Sequence, residues 1–307
     1  MIDNIKLRVI NKLQFEHELN KTELLDLTVS TNHFTGEIYN YPKKGKLKNL
    51  ELSITEQNAY LKGSLHKYFN NYVSNENQNY NDFSYCDLQF CIKDLIEKFN
   101  VETVTKLTNL EFGLNINTDL NPDIILDQLT LMFDLKSHNR DLKFQNKGNF
   151  KEFIKSDYSF KIYNKGKQFK LPENILRVEL KITKSRELEK MGVYKLEDLL
   201  NPNVLNNLYL KLKEVFSKIL IIHSSDSDKI CAKDLLKLKD YTNPNYWISL
   251  RSEGDYKKFY RIRKDFDRLI SLYSLDEVKK GILDKMEIKY YELIEGDCYS
   301  LSYDNIA

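Results

Sequence analysis

Apolar and polar residues alternate over several short segments in the first two thirds of the chain. Alternation with a period of two predicts strands, because successive side chains of a strand point to opposite faces of a sheet. The predicted strands are Lys6–Ile10, Leu50–Ile54, Ala59–Phe69, Val104–Ile116, Tyr158–Tyr163 and Ile175–Thr183. Polar Thr55–Asn58 predicts a hairpin turn, and the glycine-containing segment Asn164–Glu173 predicts another turn.

Other segments repeat their apolar residues at helical spacing. Ser84 is predicted to cap a helix that runs to Phe99, and Asn121-Pro122 is predicted to open a second helix. Ile125, Leu129, Met132 and Phe133 would face inward on that second helix. Beyond residue 200 the predicted helices are Pro202–Ile222, Ala232–Leu238, Asp255–Tyr273 and Asp276–Ile294. The pattern predicts an α+β fold: an antiparallel or mixed sheet with helices packed on one face in residues 1–200, then a helical region in residues 201–307.

Three of the predicted strands carry a polar row opposite an apolar row. The polar rows contain Glu111 on the first strand, Tyr163 and Lys165 on the second, and Arg177 and Glu179 on the third. If these strands are neighbours, one face of the sheet gathers a tyrosine, two carboxylates and cations, which suit metal-assisted phosphoryl transfer. A solvated face of a half-buried sheet produces the same alternation, so the pattern alone leaves both interpretations open.

Composition and charge limit the classes of protein to which this chain can belong. Apolar residues make up 41% and charged residues 30% of the chain, and the net charge of +2 neither requires nor excludes a nucleic-acid partner. The cysteines Cys86, Cys91, Cys231 and Cys298 are far apart and form no CxxC motif, which predicts neither a zinc site nor a disulfide framework. The N-terminus lacks the apolar stretch of a signal peptide, and no long apolar run predicts a membrane span. We therefore expect a cytoplasmic protein.

At the strand residues described above, the sequence resembles the phage and plasmid rolling-circle replication initiators of the filamentous-phage gene II type. The resemblance covers about residues 1–202 and follows the order of the chain. It rests on the opening Met1-Ile2-Asp3 with Leu7-Arg8, LKGSLHKYFN (61–70), NDFSYCDLQ (81–89), TNLEFGLNI (108–116), FKIYNK (160–165), ILRVELKIT (175–183) and EDLLNP (197–202). The two-histidine motif of other rolling-circle nickases is absent, in agreement with the gene II type.

The resemblance implies specific roles for three strands. The Tyr-x-Lys motif implies that Tyr163 is the nicking nucleophile, and the Arg-x-Glu motif contains Arg177 and Glu179. Glu111 stands where the family would have an aspartate, which keeps the charge and moves it by one methylene. The implied activity is site-specific, metal-dependent nicking and joining of DNA at a phage or plasmid origin through a 5′-phosphotyrosine, performed by residues 1–200.

The chemistry of the side chains suggests how these residues would act. Glu111 and Glu179 would bind Mg²⁺ or Mn²⁺, because hard cations prefer oxygen ligands. Lys165 would favour the charged phenolate or hold a phosphate oxygen, and Arg177 would clamp a phosphate or orient Glu179. On the predicted strand Ala59–Phe69, His66 shares a face with Lys62; we expect His66 to be a metal ligand or DNA contact and Lys62 a DNA contact, although an ordinary surface histidine would fit the same pattern.

The segment KKFYRIRKDFDR (257–268) combines basic and aromatic residues. Basic residues at helical spacing form one face, and apolar residues form the opposite face. The basic face contains Lys257, Arg261, Lys264 and Arg268, and the apolar face contains Phe259, Ile262, Phe266 and Leu269. Such a face would grip origin DNA through its phosphates. A solvated amphipathic helix without a partner is the alternative interpretation.

The expected partners are single-stranded or supercoiled origin DNA and the host polymerase and helicase, in the cytoplasm of a bacterial cell and away from any membrane. One alternative is a metal-dependent nuclease that uses the same carboxylates without a covalent intermediate. Another is a non-catalytic DNA-binding protein with a basic helical C-terminal region, and a third is a relaxase-like mobilisation protein. Trapping a covalent protein–DNA adduct separates the tyrosine-dependent function from the first two alternatives.

Overall fold

The computed structural model describes residues 1–22, 25–99, 105–138, 150–223 and 229–296. Its strands are β1 (Ile2–Val9), β2 (Lys43–Leu47), β3 (Leu50–Ile54), β4 (Ala59–Ser64), β5 (Thr105–Asn117), β6 (Thr130–Phe133), β7 (Phe150–Ile154), β8 (Tyr158–Asn164), β9 (Ile175–Ile182) and β10 (Ile219–Ile221). Within the described residues, eight of these strands form one sheet in the order β2-β3-β4-β1-β5-β9-β8-β7, and β10 pairs with β6. Several neighbouring pairs are antiparallel, including β1 with both β4 and β5.

Helices occupy much of the remaining chain, which confirms the predicted α+β class. They are α1 (Lys12–Thr22), α2 (Leu65–Val73), α3 (Tyr85–Phe99), α4 (Pro122–Ile124), α5 (Lys165–Phe169), α6 (Ser185–Glu189), α7 (Pro202–Ser217), α8 (Ala232–Tyr241), α9 (Pro244–Ser252), α10 (Tyr256–Leu272) and α11 (Glu277–Glu295). A π-helical turn covers Ile125–Leu129 and a 3₁₀ turn covers Leu196–Leu200. Beyond residue 201 the described chain is helical except for β10, as predicted.

Contacts between Cα atoms divide the chain into two compact units. The first comprises Met1–Gly113, Leu180–Tyr209 and Lys289–Ala307, and the second comprises Leu114–Glu179 and Leu210–Ile288. The four borders fall within the strands β5 and β9 and within the helices α7 and α11. The functional division at residue 200, into a nicking part and a DNA-binding part, remains a prediction.

The first unit contains the predicted hairpin of β3 and β4. The two strands pair antiparallel from Glu51 with Lys62 to Ile54 with Ala59, around the polar turn Thr55–Asn58. Their inward apolar side chains, such as Leu52 and Leu61, are almost fully buried, as are Leu88, Ile92 and Leu95 on α3. Alternation on the strands and helical spacing on α3 therefore bury the residues that the sequence indicated.

The second unit has a core of aromatic and aliphatic side chains around Trp247. Trp247 is fully buried and donates from Nε1 to the carbonyl oxygen of Tyr241 at 2.7 Å. Phe259 and Phe266 of α10 pack edge-on and tilted against its indole ring. Since buried aromatic side chains each remove a large apolar area from water, this cluster fixes α10 against α8 and α9.

Several predicted elements differ from the structure because helix caps and strand pairing override the hydrophobic pattern. The predicted strand Ala59–Phe69 ends at Ser64, whose hydroxyl accepts from Lys67 N and caps α2. The helix predicted from Asn121 gives way to strand β6, which pairs with β10, and β10 in turn interrupts the predicted helix Pro202–Ile222. The segment predicted as a turn after Tyr163 contains α5. The first strand begins at Ile2 rather than at Lys6.

The sequence pattern missed α1, β2, β7 and α9, which are short or carry weak periodicity. The cysteine spacing predicted no disulfide framework; among the described cysteines Cys86 is disulfide-bonded, and Cys91 and Cys231 are free. Val104 and Cys298 lie outside the described residues. No helix within the described part of the chain is long and apolar enough to cross a membrane.

Candidate active site

The polar residues singled out on three strands lie on neighbouring strands of the sheet. Glu111 belongs to β5, Arg177 and Glu179 to β9, and Tyr163 to β8, and the sheet order is β5-β9-β8. The expected adjacency of the strands is therefore confirmed. Glu111, Arg177 and Glu179 are 6%, 3% and 3% exposed, and Tyr163 is half-buried. An ordinary solvated sheet face would leave such charges accessible to water, so their burial favours a built polar site.

Glu179 is the residue on which the contacts of β8 and β9 converge. Its Oε2 accepts from the Tyr163 hydroxyl at 3.4 Å and lies 3.4 Å from Arg177 Nε. Its Oε1 lies 3.5 Å from Lys161 Nζ. These distances exceed the roughly 2.7–2.9 Å of tight charge-assisted hydrogen bonds. Arg177 and Lys161 therefore offset the negative charge of Glu179 mainly by electrostatic attraction rather than by tight hydrogen bonds. The oxygens of Glu179 can accept a further partner.

Arg177 holds its position through two polar contacts. It lies two residues before Glu179 on β9, and residues two apart on a strand share a face. Its Nη1 donates to Asn115 Oδ1 on β5 at 3.2 Å, while its Nε lies against Glu179. This arrangement fits the predicted orienting role of Arg177 toward Glu179, and a nearly buried guanidinium remains able to meet an anionic group in the site.

Lys165 lies against the ring of Tyr163. Its side chain is 1% exposed, and its Nζ lies 5.6 Å from the ring centre of Tyr163 and 4.9 Å from that of Phe169. A buried ammonium is stabilised by the negative faces of aromatic rings at such distances. Lys165 is not on the strand, as the alternation predicted, but is the first residue of α5, which the Asn164 side chain caps. The predicted proximity to Tyr163 is confirmed, although the predicted strand position is wrong.

The turn after Tyr163 is fixed by a hydrogen bond and by a glycine. Asn164 Nδ2 donates to Asp123 Oδ1 at 2.8 Å. A Cβ atom on Gly166 would lie 2.3 Å from the carbonyl oxygen of Glu173, closer than side chains approach a backbone. Only glycine therefore lets α5 come so near to the segment that leads into β9. This close approach sets the position of the tyrosine relative to the residues of β9.

Glu111 is held by two donors in the first unit. Asn4 donates from Nδ2 to its Oε2, and Lys181 Nζ lies 2.8 Å from its Oε1. The Lys181 side chain is 37% exposed, so it reaches the buried carboxylate from the solvent side. A buried carboxylate needs such partners because removing its charge from water is costly.

Asp3 is a further buried carboxylate, for which the sequence pattern predicted no role. It is 4% exposed and accepts hydrogen bonds from Ser64 Oγ and, at 2.8 Å, from Asn79 Nδ2. Among the described residues, one oxygen from each of Asp3, Glu111 and Glu179 lies within 4.8 Å of the other two. We call these three residues the carboxylate cluster.

A β-bulge brings Asp3 to the carboxylate cluster. β1 pairs Ile5 with Leu110 but Ile2 with Phe112, so that Asp3 and Asn4 together stand opposite Glu111. Such an extra residue breaks the alternation of a strand and re-aims a side chain. The motif Met1-Ile2-Asp3 was part of the family resemblance, and this was the signal that could have drawn attention to Asp3.

The donor atoms of the carboxylate cluster fit a hard divalent cation, because all of them are carboxylate oxygens. In an octahedral Mg²⁺ site with bonds of about 2.1 Å, ligand oxygens are roughly 3 to 4.2 Å apart. Oxygens within 4.8 Å reach that geometry by small side-chain adjustments. Among the described residues no salt bridge reaches Asp3, whereas Lys181 pairs with Glu111 and Arg177 with Glu179. A cation would therefore offset a buried charge that its neighbours do not neutralise.

His66 is a core residue of α2. Its Nε2 lies 2.7 Å from Asn81 Oδ1, and its ring stacks on Phe83 with 5.0 Å between the ring centres. The predicted strand face shared by Lys62, Ser64 and His66 is wrong, because Ser64 caps the helix that contains His66. The metal site proposed below does not include this histidine. Lys62 is exposed on β4 and forms a 2.9 Å ion pair with Glu51, and its role as a DNA contact remains a prediction.

The predicted amphipathic helix is present as α10. Its basic residues Lys257, Arg261, Lys264 and Arg268 are exposed, and we call them the cationic stripe. On the opposite side Phe259, Phe266 and Leu269 are buried in the core around Trp247. The predicted division of this helix into a basic and an apolar face is confirmed, while its contact with DNA remains a prediction.

Asp265 is an acidic residue beside the cationic stripe. Hydrogen bonds from Lys237 at 2.7 Å, then from Arg268 and Tyr241, outweigh desolvation and lower the pKa of Asp265 to about 2. Desolvation and the hydrogen bond to Asp265 raise the pKa of Tyr241 to about 12. Asp265 thus ties α8 to α10 and engages one cation of the stripe, Arg268.

Comparisons with models of protein families and with curated proteins find no match for this chain. Among solved structures, it is similar to a rolling circle replication initiator protein from Geobacillus stearothermophilus, with a TM-score of 0.38 and 10% sequence identity. The similarity covers 79% of this chain and 96% of that one. A likeness at this level does not establish a common fold, so the residues of this chain must carry the functional argument.

Proposed function

We propose that this protein initiates rolling-circle replication by nicking and rejoining origin DNA, with Tyr163 as the nucleophile. The observation that supports the proposal is the position of the Tyr163 hydroxyl, 3.4 Å from an oxygen of Glu179, a member of the carboxylate cluster. A half-buried phenol next to buried carboxylates combines a nucleophile, a proton acceptor and ligands for a divalent cation.

Asp3, Glu111 and Glu179 would hold Mg²⁺ or Mn²⁺, each through a carboxylate oxygen. When bound, such a cation polarises the scissile phosphate and stabilises the charge that develops on its oxygens. Asp3 replaces His66 in the set of ligands that the sequence suggested, because its carboxylate lies with the two glutamates.

The chemical step transfers one phosphodiester bond from DNA to the protein. The phenolic oxygen of Tyr163 attacks the phosphorus, its proton leaves toward Glu179, and the bond from phosphorus to the 3′ oxygen breaks. The departing 3′ oxygen takes up a proton, so the products are a 5′-phosphotyrosine and a free 3′-hydroxyl. The number of phosphoester bonds is unchanged, and the displaced strand can later be rejoined without ATP.

Lys165 and Arg177 would act on charge during this step. The Lys165 ammonium, 5.6 Å from the centre of the Tyr163 ring, favours the negative phenolate over the neutral phenol. Arg177 keeps Glu179 directed at the tyrosine and can donate to a phosphate oxygen. Both side chains are nearly buried, where an electrostatic interaction is stronger than in water.

The free 3′-hydroxyl explains the proposed partners. A host polymerase would extend it and a host helicase would unwind the duplex ahead, in the cytoplasm of a bacterial cell. The gene II type within the rolling-circle initiators is also part of this proposal, on the strength of the Tyr-x-Lys and Arg-x-Glu strands that contain Tyr163 and Glu179.

The test uses the full chain and a pool of end-labelled, random-sequence single strands with Mn²⁺ or EDTA. We expect an adduct that survives boiling in detergent, forms with Mn²⁺ and maps by peptide mass spectrometry to Tyr163. Sequencing the attached strands then gives the preferred cleavage site. Cleavage without any adduct would overturn the proposal in favour of a metal-dependent nuclease. Binding without cleavage or adduct would overturn it in favour of a non-catalytic DNA-binding protein.

A further inference from the structure

Two exposed tyrosines stand beside the cationic stripe at the start of α10. Tyr256 and Tyr260 are 77% and 61% exposed, although a large aromatic side chain usually buries much of its ring. They are four residues apart on the helix, so their side chains lie on the same side, one turn from each other. Lys257 lies three residues before Tyr260 and Lys264 lies four residues after it, which places basic groups on the same side of the helix as that ring.

A groove lies at the foot of these tyrosines. It has a volume of about 250 Å³ and is lined by Leu250, Arg251, Tyr256, Phe259 and Tyr260, among others. Leu250 and Phe259 are nearly buried and form an apolar floor, while the Arg251 guanidinium lies 5.2 Å from the centre of the Phe259 ring. Gly254 provides the turn from α9 into α10 with φ +73°, a conformation that favours glycine.

The charges of α10 are arranged for a polyanion. The helix has six lysines and arginines against two aspartates. Lys257, Arg261 and Lys264 are exposed, and within the described residues none of them forms a salt bridge. Neighbouring cations that pair with no acid repel one another, and an anionic partner relieves that repulsion.

A membrane surface does not fit this helix. An amphipathic helix binds lipid by inserting its apolar face into the headgroup region. On α10 the apolar side chains Phe259, Phe266 and Leu269 are already packed around Trp247. Over residues 256–264 the exposed side chains are all basic or aromatic.

We propose that Tyr256, Tyr260 and the cationic stripe form a binding surface for single-stranded DNA, on which bases stack against the tyrosine rings and phosphates meet the basic side chains. Proteins that bind single strands combine aromatic platforms with a basic track in this way. Duplex DNA keeps its base faces stacked inside the helix, so the tyrosine rings discriminate between the two forms. The choice of DNA as the polyanion rests on the proposed function.

The test measures binding separately from nicking. All proteins carry Tyr163→Phe, and the probes are a fluorescent twenty-nucleotide oligo(dT) and a duplex of equal length, followed by fluorescence anisotropy. We expect Tyr256→Ala with Tyr260→Ala to weaken single-strand binding by at least about tenfold, because both stacking platforms are lost. Duplex binding should change by less than about twofold, because phosphate contacts dominate it.

Controls separate stacking from other effects. Tyr256→Phe with Tyr260→Phe retains both rings and should bind single strands as tightly as the parent. Tyr194→Ala removes a tyrosine that is 57% exposed in another part of the chain and should have no effect. Lys257→Ala with Lys264→Ala should lower the slope of log affinity against log salt by roughly 0.7 per lysine for single strands, whereas the tyrosine changes should leave the slope unaltered.

Three results would overturn this inference: unchanged single-strand affinity in the double alanine variant, an equal loss on duplex and single strand, or no DNA binding by the parent protein. None of these measurements requires cleavage, so tyrosine-dependent binding by the Tyr163→Phe proteins, together with no adduct from the protein that retains Tyr163, would contradict only the proposed function. Thermal unfolding of each variant checks that the exposed substitutions leave the fold intact.

Discussion

The carboxylate cluster and the cationic stripe are two charged regions that are built in opposite ways. Asp3, Glu111 and Glu179 are nearly buried, and each oxygen that the sheet shelters is met by donors or cations. Lys257, Arg261 and Lys264 stand in solvent without salt bridges among the described residues. Burying a charge costs free energy, and the packing around it fixes its position. An exposed charge remains mobile and is screened by salt.

This difference indicates a division of labour. A charge that must act on one atom needs a fixed position and low dielectric surroundings, as in the carboxylate cluster. Charges that bind a flexible polyanion give higher affinity when they are mobile and numerous, as proposed for the cationic stripe. Substitutions in the cluster should therefore change chemistry, and substitutions in the stripe should change affinity.

The largest effect is expected at the nucleophile. Tyr163→Phe removes the attacking oxygen and retains the ring, so adduct formation should fall by at least about 1,000-fold. Tyr158→Phe, on the same strand, should nick as well as the parent. Gel analysis of supercoiled plasmid cleavage and of detergent-stable adduct measures both. Full adduct formation by Tyr163→Phe would show that another residue is the nucleophile. The carboxylate cluster would then have no assigned part in the chemistry that distinguishes it from the cationic stripe.

The next effect concerns metal binding by the carboxylate cluster. Glu179→Gln should lower nicking on the order of 100-fold and Asp3→Asn roughly 10-fold, because each removes a charged ligand. Electron paramagnetic resonance of Mn²⁺ should show weaker binding by both variants. Glu187→Gln, at a glutamate with the same 6% exposure as Glu111, should bind Mn²⁺ like the parent. Mn²⁺ binding unaffected by the changes at positions 3 and 179 would reduce the cluster to a structural ion network.

A smaller and pH-dependent effect is expected at Lys165. Lys165→Met keeps the length of the side chain and removes the ammonium, so phenolate formation should need a higher pH. Nicking should fall roughly tenfold at pH 7 and should recover as the pH rises. The measured quantity is the pH–rate profile of adduct formation. A uniform loss at every pH would instead indicate that Lys165 only packs against the rings of Tyr163 and Phe169.

The smallest effect is expected beside the cationic stripe. The pKa of Asp265 is lowered to about 2 in the folded protein, so its carboxylate stabilises the fold above its unfolded pKa near 4 and loses that contribution as the pH falls toward 2. Asp265→Asn should lower the free energy of unfolding by less than about 1 kcal/mol at pH 7, because the pairs are partly exposed. Denaturant unfolding at pH 7 and pH 2 should show this difference disappearing in acid. A difference that persists at pH 2 would point to packing.

The sequence predicted the stripe better than the cluster for a physical reason. The sides of α10 follow from helical spacing alone, and the structure has Lys264 exposed and Phe266 buried as predicted. Alternation also identified Glu111, Tyr163 and Glu179, whose strands proved to be neighbours. The pattern contains only periodicity, however, and helix caps, a bulge and strand pairing decided the rest.

Periodicity along the chain does not reveal where a strand bulges or where a helix begins. Three residues illustrate this limit: Asp3, Lys165 and His66. Asp3 reaches the cluster through a bulge that breaks the alternation, and Lys165 reaches Tyr163 from a helix that the Asn164 side chain begins. His66 leaves the strand because Ser64 caps a helix there. In each case one capping or bulging residue changed the direction of a side chain that periodicity had assigned.

The bulge at Asp3 and Asn4 lets one strand both pack its apolar side chains in the interior and direct an acid into the carboxylate cluster. From Ile5 to Val9 the strand keeps its register with β4, and its apolar side chains must suit the interior. Ahead of Ile5 the backbone is out of phase with β5, so a deletion of Asn4 would re-aim the acid while leaving the pairing of β3 with β4 untouched. Such a variant thus offers a test of the proposed catalysis in a protein that keeps all the apolar residues of its interior.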